Sequence, residues 1–216
     1  MKLRKVLCTT DFSAGSDAAL RVAVRLSHER TCELVVLHAW SVPSIAFFDG
    51  FSYSSALIEA IASDAGRGLA ARVAEARGLG AHRVTGKLTE GPAWRSIVTL
   101  AEVDRTIDLV VIGSRGRTGS PRRFLGSTAE MVVRHAPCSV MTVPETASLA
   151  PFEHIVAAID FSASSHHALE LGLALTPSAT ALRLFHVIER PIVYSEEPAV
   201  EMLELEAQRV LARRSR

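Results

Sequence analysis

Leu109-Val110-Val111-Ile112-Gly113-Ser114-Arg115-Gly116-Arg117-Thr118-Gly119-Ser120-Pro121-Arg122-Arg123-Phe124-Leu125-Gly126-Ser127-Thr128 is the stretch on which the fold turns. An apolar run without alternation reads as a strand buried on both faces, the habit of parallel sheets. A glycine-spaced loop follows, and Gly126 then leads into a helix over Ser127–His135, stopped before Pro137. Loops leaving the carboxyl ends of strands are where open α/β sheets bind ligands. Gly113 and Gly116 let the chain turn and let backbone amides approach an anion. The helix start behind Gly126 offers unpaired amides and a dipole that favour phosphate, with the Ser127 hydroxyl beside them. Arg115, Arg117, Arg122 and Arg123 supply cations whose planar fork matches phosphate oxygens. A second reading of the same residues stays open: Ser127-Thr128-Ala129-Glu130 also fits a capping box, and the glycines also fit plain turns.

Outward from this stretch, strands alternate with helical patterns. Val6–Thr10 is a short apolar strand, and Asp11-Phe12-Ser13 after it signals a helix with Ser16 as N-cap. Leu34–Ala39 is a second buried strand. A helix over 55–77 is closed by Gly78 and Gly80, and Arg83–Leu88 is a third strand. Pro92 suits the first position of a helix whose inner face is Trp94, Ile97, Val98 and Ala101. Ser139–Val143 is a fifth strand. Such alternation implies a parallel sheet with right-handed crossovers.

The chain also repeats itself. Lys5–Ala14 returns as His154–Ala163, with Asp11-Phe12-Ser13 matched by Asp160-Phe161-Ser162 at an offset of 149. Leu34–Ala39 returns as Leu182–Val187 at an offset of 148, so His38 and His186 correspond. The second copy contributes two strands and no glycine-spaced loop. It therefore should not build a site alone. Its unpaired apolar edge is an association hazard, which is the basis for expecting it to dock on another copy and help form a dimer. The chain thus divides into 1–146, carrying the site, and 151–216, a partial second domain of the tandem repeat.

Composition excludes several functions. The 216 residues carry 24 Lys plus Arg against 23 Asp plus Glu, so no basic footprint for nucleic acid or anionic membrane is present. No apolar run reaches the ~18 residues of a membrane helix, and the N-terminus lacks a signal-peptide core, so a cytoplasmic location is expected. Cys8, Cys32 and Cys138 are scattered and read as core residues, not a metal or disulfide framework. No P-loop, dinucleotide-binding, nucleophile-elbow or zinc-protease motif occurs. His38 and His186 read as core histidines satisfied by backbone carbonyls, and His166-His167 as helix neighbours facing different ways. The aromatics Phe47, Phe48, Phe51 and Tyr53 read as loop packing, and Val200, Leu203, Ala207 and Val210 as one face of an amphipathic helix.

The spacing Gly113-x2-Gly116-x9-Gly126-Ser127 resembles the ATP-binding signature of the universal stress protein family. Thr9-Thr10-Asp11-Phe12-Ser13 and His135-Ala136-Pro137-Cys138-Ser139-Val140 resemble that family's opening and closing motifs. The resemblance implies a doubly wound five-stranded parallel sheet of order 3-2-1-4-5, of the adenine nucleotide alpha-hydrolase-like kind, followed by a partial second copy. It implies that Thr9 and Asp11, with Thr10 between them, meet adenine and ribose. Ala39 would border the adenine through its backbone and Ile112 would pack near base or sugar. Gly113, Gly116, Arg117, Gly126, Ser127 and Thr128 would surround the phosphates, with Arg115 adding charge. The family often has proline where Thr9 stands. ATP, with or without Mg2+, is the implied ligand and a homodimer the implied assembly. The function expected is a nucleotide-responsive stress module, with no catalytic or metal-ligating residues identified and slow hydrolysis the most turnover allowed. The alternative is an interaction protein of the same fold in which the loop is structural.

Overall fold

The computed structural model describes residues 3–42, 54–116, 125–175 and 181–187, together with Met202 and Leu205. The chain divides into two compact units, Lys2–Leu149 and Ala150–Arg216, the latter grouped with Met1.

In the first unit, β1 (Lys5–Thr9), β2 (Glu33–Trp40), β3 (Val84–Glu90), β4 (Ile107–Gly113) and β5 (Ser139–Val143) form one sheet of order β3-β2-β1-β4-β5. Every neighbouring pair is parallel: Leu7 stands beside Val35 on one side and Val110 on the other. The order reverses between β1 and β4, so the carboxyl ends of these two strands flank the switch point at which such sheets open a crevice. β1 and β4 are buried almost throughout, as their unbroken apolar runs require.

Helices α1 (Ala14–Arg30) and α2 (Ser55–Gly78) pack on β1, β4 and β5 and on β2 and β3 respectively, and they touch each other. Helices α3 (Ala93–Val103) and α4 (Ser127–His135) also pack together. Leu7, Leu37, Ile97, Val110, Ile112, Ala129 and Val132 join them to the sheet in one core cluster. Leu7 and Leu37 are 0% and 1% exposed, so truncating either to alanine would cost about 2–5 kcal/mol.

The start of α1 corrects the sequence reading. Its N-cap is Ser13, whose hydroxyl accepts from the Ser16 amide at 3.3 Å, so Ser16 stands inside the first turn. Ser13 is held in place by Asp11: Asp11 Oδ1 accepts from the Ser13 amide at 3.1 Å and from its hydroxyl at 2.5 Å. Phe12 between them has φ of 64°, the left-handed region that bulky residues rarely enter. His38 braces the same turn. Its Nδ1 lies 2.8 Å from the Thr10 carbonyl oxygen, and its ring lies against Phe12 with centroids 4.2 Å apart.

In the second unit, β6 (His154–Ala158) and β7 (Ala181–Phe185) pair in parallel, and α5 (Ala163–Leu175) packs on β6. The turn geometry is repeated. Asp160 Oδ1 accepts from the Ser162 amide at 3.0 Å and hydroxyl at 2.6 Å, Phe161 has φ of 63°, and His186 Nδ1 lies 2.6 Å from the Ile159 carbonyl oxygen. His38 and His186 are therefore bracing residues of one turn used twice. Val156, Phe185 and Val187 are exposed, whereas Leu7 and Leu37, the counterparts of the first two, are core. The aromatic group Phe47, Phe48, Phe51 and Tyr53, and the helical face of Val200, Leu203, Ala207 and Val210, lie outside the described residues.

Candidate functional site

A cavity of about 340 Å³ opens at the carboxyl end of the sheet, at the switch point between β1 and β4. This is within the usual range for a small-molecule site. Of the residues singled out from the sequence, Thr9, Thr10, Asp11, Ala39, Ile112, Gly113, Arg115, Gly116, Gly126, Ser127 and Thr128 all line it. Arg117 lies outside the described residues, as do Arg122 and Arg123.

The loop after β4 is closed at its base by two backbone bonds. The Ser114 amide donates to the Val143 carbonyl of β5 at 2.7 Å, and the Gly126 amide donates to the Ser114 carbonyl at 2.8 Å. Ser114 and Gly126 are therefore held together at the cavity rim. The glycines at this rim are not equivalent. A Cβ on Gly113 would come within 2.9 Å of the Gly15 backbone, and one on Gly116 within 2.5 Å of Asp11 Oδ2. A Cβ on Gly126 would meet its nearest atoms at 3.5–3.7 Å, which is ordinary contact. Gly113 and Gly116 are thus required by close approach, and Gly126 tolerates a small side chain.

The start of α4 bears on the capping-box pattern. Gly126 is the N-cap, without a side-chain capping bond. Glu130 does not reach back; it pairs with Arg134 at 3.0 Å. The capping box is not formed. The first turn of backbone bonding begins with the Glu130 amide donating to the Gly126 carbonyl at 2.9 Å, so the amides of Ser127, Thr128 and Ala129 have no acceptor within the helix. All three residues line the cavity, and they bring the positive end of the helix dipole to it.

The lining has two chemical characters. Leu37, Ala39, Ala93, Ile97, Ile112, Leu125 and Ala129 are apolar, and all but Ala93 belong to or pack on the core cluster. Of these, Leu37, Ala93, Ile97, Leu125 and Ala129 were not read as site residues, nor was Ser16. Small and branched apolar side chains carry no chemical signal beyond their periodicity, which marks them only as core. The polar part comprises Thr9, Thr10, Asp11, Ser16, Arg115, Ser127 and Thr128, with Asp11 the single carboxylate among the described lining residues. Thr10 is partly committed to the turn: its Oγ1 accepts from the Phe12 amide at 3.1 Å and lies 3.2 Å from Ser16 Oγ. Asp11 has the structural task already given for Oδ1. Asp160 makes the same two bonds to Ser162 in the second copy, so they belong to the turn.

Among the described residues, no group of three His, Cys, Asp or Glu side chains is gathered that could hold a metal ion. No helix of the described residues is long and apolar enough to cross a membrane. Burial pushes the Cys8 thiol up to about 12 and that of Cys138 to about 11, which leaves both as inert core groups.

Fold and crevice together define a doubly wound α/β domain with a pocket of mixed apolar and polar lining at its switch point. The model of the universal stress protein family matches residues 2–144 and again 151–216, and the chain belongs to that family. It is 30% identical over 145 residues to universal stress protein MJ0531 of Methanocaldococcus jannaschii, covering 65% of this chain and 81% of that protein. It spans less of other relatives, matching 29% of the length of universal stress protein Rv1996 of Mycobacterium tuberculosis at 34% identity over 43% of this chain. Among solved structures, universal stress protein UspA from Lactobacillus plantarum superposes with a TM-score of 0.56 at 25% identity, covering 66% of this chain and 99% of that one. A universal stress protein from Archaeoglobus fulgidus DSM 4304 shares the fold over 99% of this chain and 76% of its own, with a TM-score of 0.75 at 19% identity. A further universal stress protein of this fold was crystallised in complex with cAMP; it matches at 23% identity and a TM-score of 0.50, covering 66% of this chain and 98% of its own.

Proposed function

We propose that the unit Lys2–Leu149 binds ATP in this crevice and that the protein acts as a nucleotide-responsive regulatory module of the cytoplasm. The observation that carries this reading is the start of α4, whose first three amides have no acceptor within the helix and whose residues Ser127, Thr128 and Ala129 line the cavity with Arg115 and the glycine rim. Unpaired amides at a helix N-terminus suit an anionic tail. The apolar lining residues Leu37, Ala39, Ile97 and Ile112 suit a flat base, and the oxygens of Thr9 and Asp11 in the same lining suit ribose hydroxyls. The relative crystallised with cAMP supports an adenine nucleotide as the class of ligand.

Mg2+ accompanying a triphosphate would find one carboxylate among the described lining residues, Asp11, with hydroxyls, phosphate and water able to complete its shell. The metal would neutralise phosphate charge. The described lining holds hydroxyls, amides, an arginine and one carboxylate, and no histidine, lysine or cysteine. It is equipped to hold a nucleotide better than to break one.

Contact of the phosphates with Arg115, Gly116 and the start of α4 would be the responsive element, shifting the population of a surface that a partner reads. A homodimer is part of this proposal, with the exposed apolar residues of β6 and β7 as the reason to expect association. Three experiments test the proposal. Protein purified from cells is heat-extracted and the supernatant run on anion exchange beside adenine nucleotide standards. Titration calorimetry then measures ATP binding directly. Light scattering at micromolar concentration reports the assembly, and a monomer would remove the dimer from the proposal.

A further inference from the structure

We propose that Gly15, in the first turn of α1, is a positioning residue for the loop that faces the phosphates. The inference rests on the nucleotide reading of the crevice. A Cβ on Gly15 would come within 2.5 Å of the Arg115 carbonyl oxygen and 3.6 Å of its carbon. The contact is two-sided, because a Cβ on Gly113 would lie 2.9 Å from the carbonyl carbon and oxygen of Gly15 and 3.1 Å from the Ser16 amide nitrogen. The backbone of α1 is therefore the surface on which the segment Gly113–Gly116 lies. Its position sets where the amides and Arg115 stand relative to the start of α4.

Gly15 is not there for backbone freedom. It lies inside a helix and does not have a positive φ; among the described glycines only Gly80 and Gly91 do. Glycine in a helix is less stable than alanine, so its presence calls for a reason of space. The second copy supplies the internal control. Its Asp160-Phe161-Ser162 turn repeats the hydrogen bonding of Asp11-Phe12-Ser13, and at the position matching Gly15 it has Ser164, an exposed residue of α5. The helix start itself accepts a side chain there; the loop of the first copy does not.

The test compares ATP with adenosine, which lacks the phosphates. Wild-type protein, Gly15→Ser and Gly15→Ala are titrated with both ligands by calorimetry, and the thermal midpoint of each is recorded. The substitutions are expected to weaken ATP by about tenfold or more, the loss of about one charge-assisted hydrogen bond, and to lower the thermal midpoint modestly, while adenosine affinity stays near wild type. Amide exchange of Ser114–Gly116 without ligand should quicken in both variants. Wild-type binding of ATP with equal binding by both variants would overturn the role of Gly15 and leave the proposed function standing. Parallel loss of ATP and adenosine would also overturn it, since that marks general damage. Failure of the wild type to bind either ligand would overturn the nucleotide reading, and this inference with it.

Discussion

The Oδ2 atom of Asp11 stands 2.5 Å from the point a Cβ would occupy on Gly116, so the β1–α1 turn and the loop after β4 meet with no room for a side chain between them. The two segments are 105 residues apart in sequence. Asp11 cannot retreat, because its other oxygen is bonded to both the amide and the hydroxyl of Ser13. The cavity rim is therefore a rigid joint between two elements, made possible by one missing methyl group.

Gly116→Ala is expected to displace this joint, to weaken ATP binding by about tenfold or more and to cost about 1–3 kcal/mol of stability. Gly126→Ala is the matched control, because its Cβ meets atoms only at ordinary contact distance. It should bind ATP within about threefold of wild type. Gly126→Val is larger and should lose binding. Calorimetry on the three variants checks the order, and equal loss in both alanine variants would contradict the geometry.

Ser13→Ala removes the N-cap of α1 and one of the two bonds that hold Asp11. The expected cost is about 0.5–2 kcal/mol, read from urea unfolding as a lower midpoint at constant slope. Ser16→Ala leaves the cap in place and should cost less. A larger effect at Ser16 would put the cap where the bare sequence suggested.

The opposite end of the sheet governs stability in acid. Lys5 at the start of β1 bonds Asp104 at 2.7 Å, and this bond with those from Thr106 holds the Asp104 carboxyl down at about 2. The unfolded value is about 3.9. A depressed carboxylate stabilises the fold above its unfolded value and loses that contribution as pH falls through its folded value. Stability should therefore decline between about pH 4 and pH 2, within a range where ATP affinity need not follow. The pair is partly solvated, so the decline from this group is modest. Urea midpoints of wild type and Lys5→Met across that range check it; the variant should show a shallower decline.

Much of this architecture can be read from the chain. The run Leu109–Ile112 and the glycine spacing after it place a buried strand and a crevice loop, because a strand apolar on both faces has few other homes. What escaped the reading was decided by contacts distant in sequence. Ser16 looked like the cap because the apolar stripe of α1 begins just after it, yet Asp11 fixes Ser13 in that role. The Ser127–Glu130 pattern looked like a capping box, yet Glu130 pairs with Arg134 and leaves the helix start open. Ile97 and Ala129 announced only a core face; that this face also walls a cavity depends on how α3 and α4 meet the sheet. The Asp-Phe-Ser repeat was plain as a pattern. Its left-handed phenylalanine and bracing histidine were not, since both arise from packing.

The central claim is that the open start of α4 and the glycine rim hold the phosphates of ATP. The most direct measurement is a crystal structure grown with excess ATP and Mg2+. The account expects density for the base against Leu37, Ala39 and Ile112, with phosphate oxygens within hydrogen-bond distance of the Ser127 and Thr128 amides. A crevice without nucleotide, or a nucleotide bound elsewhere on the chain, would contradict it.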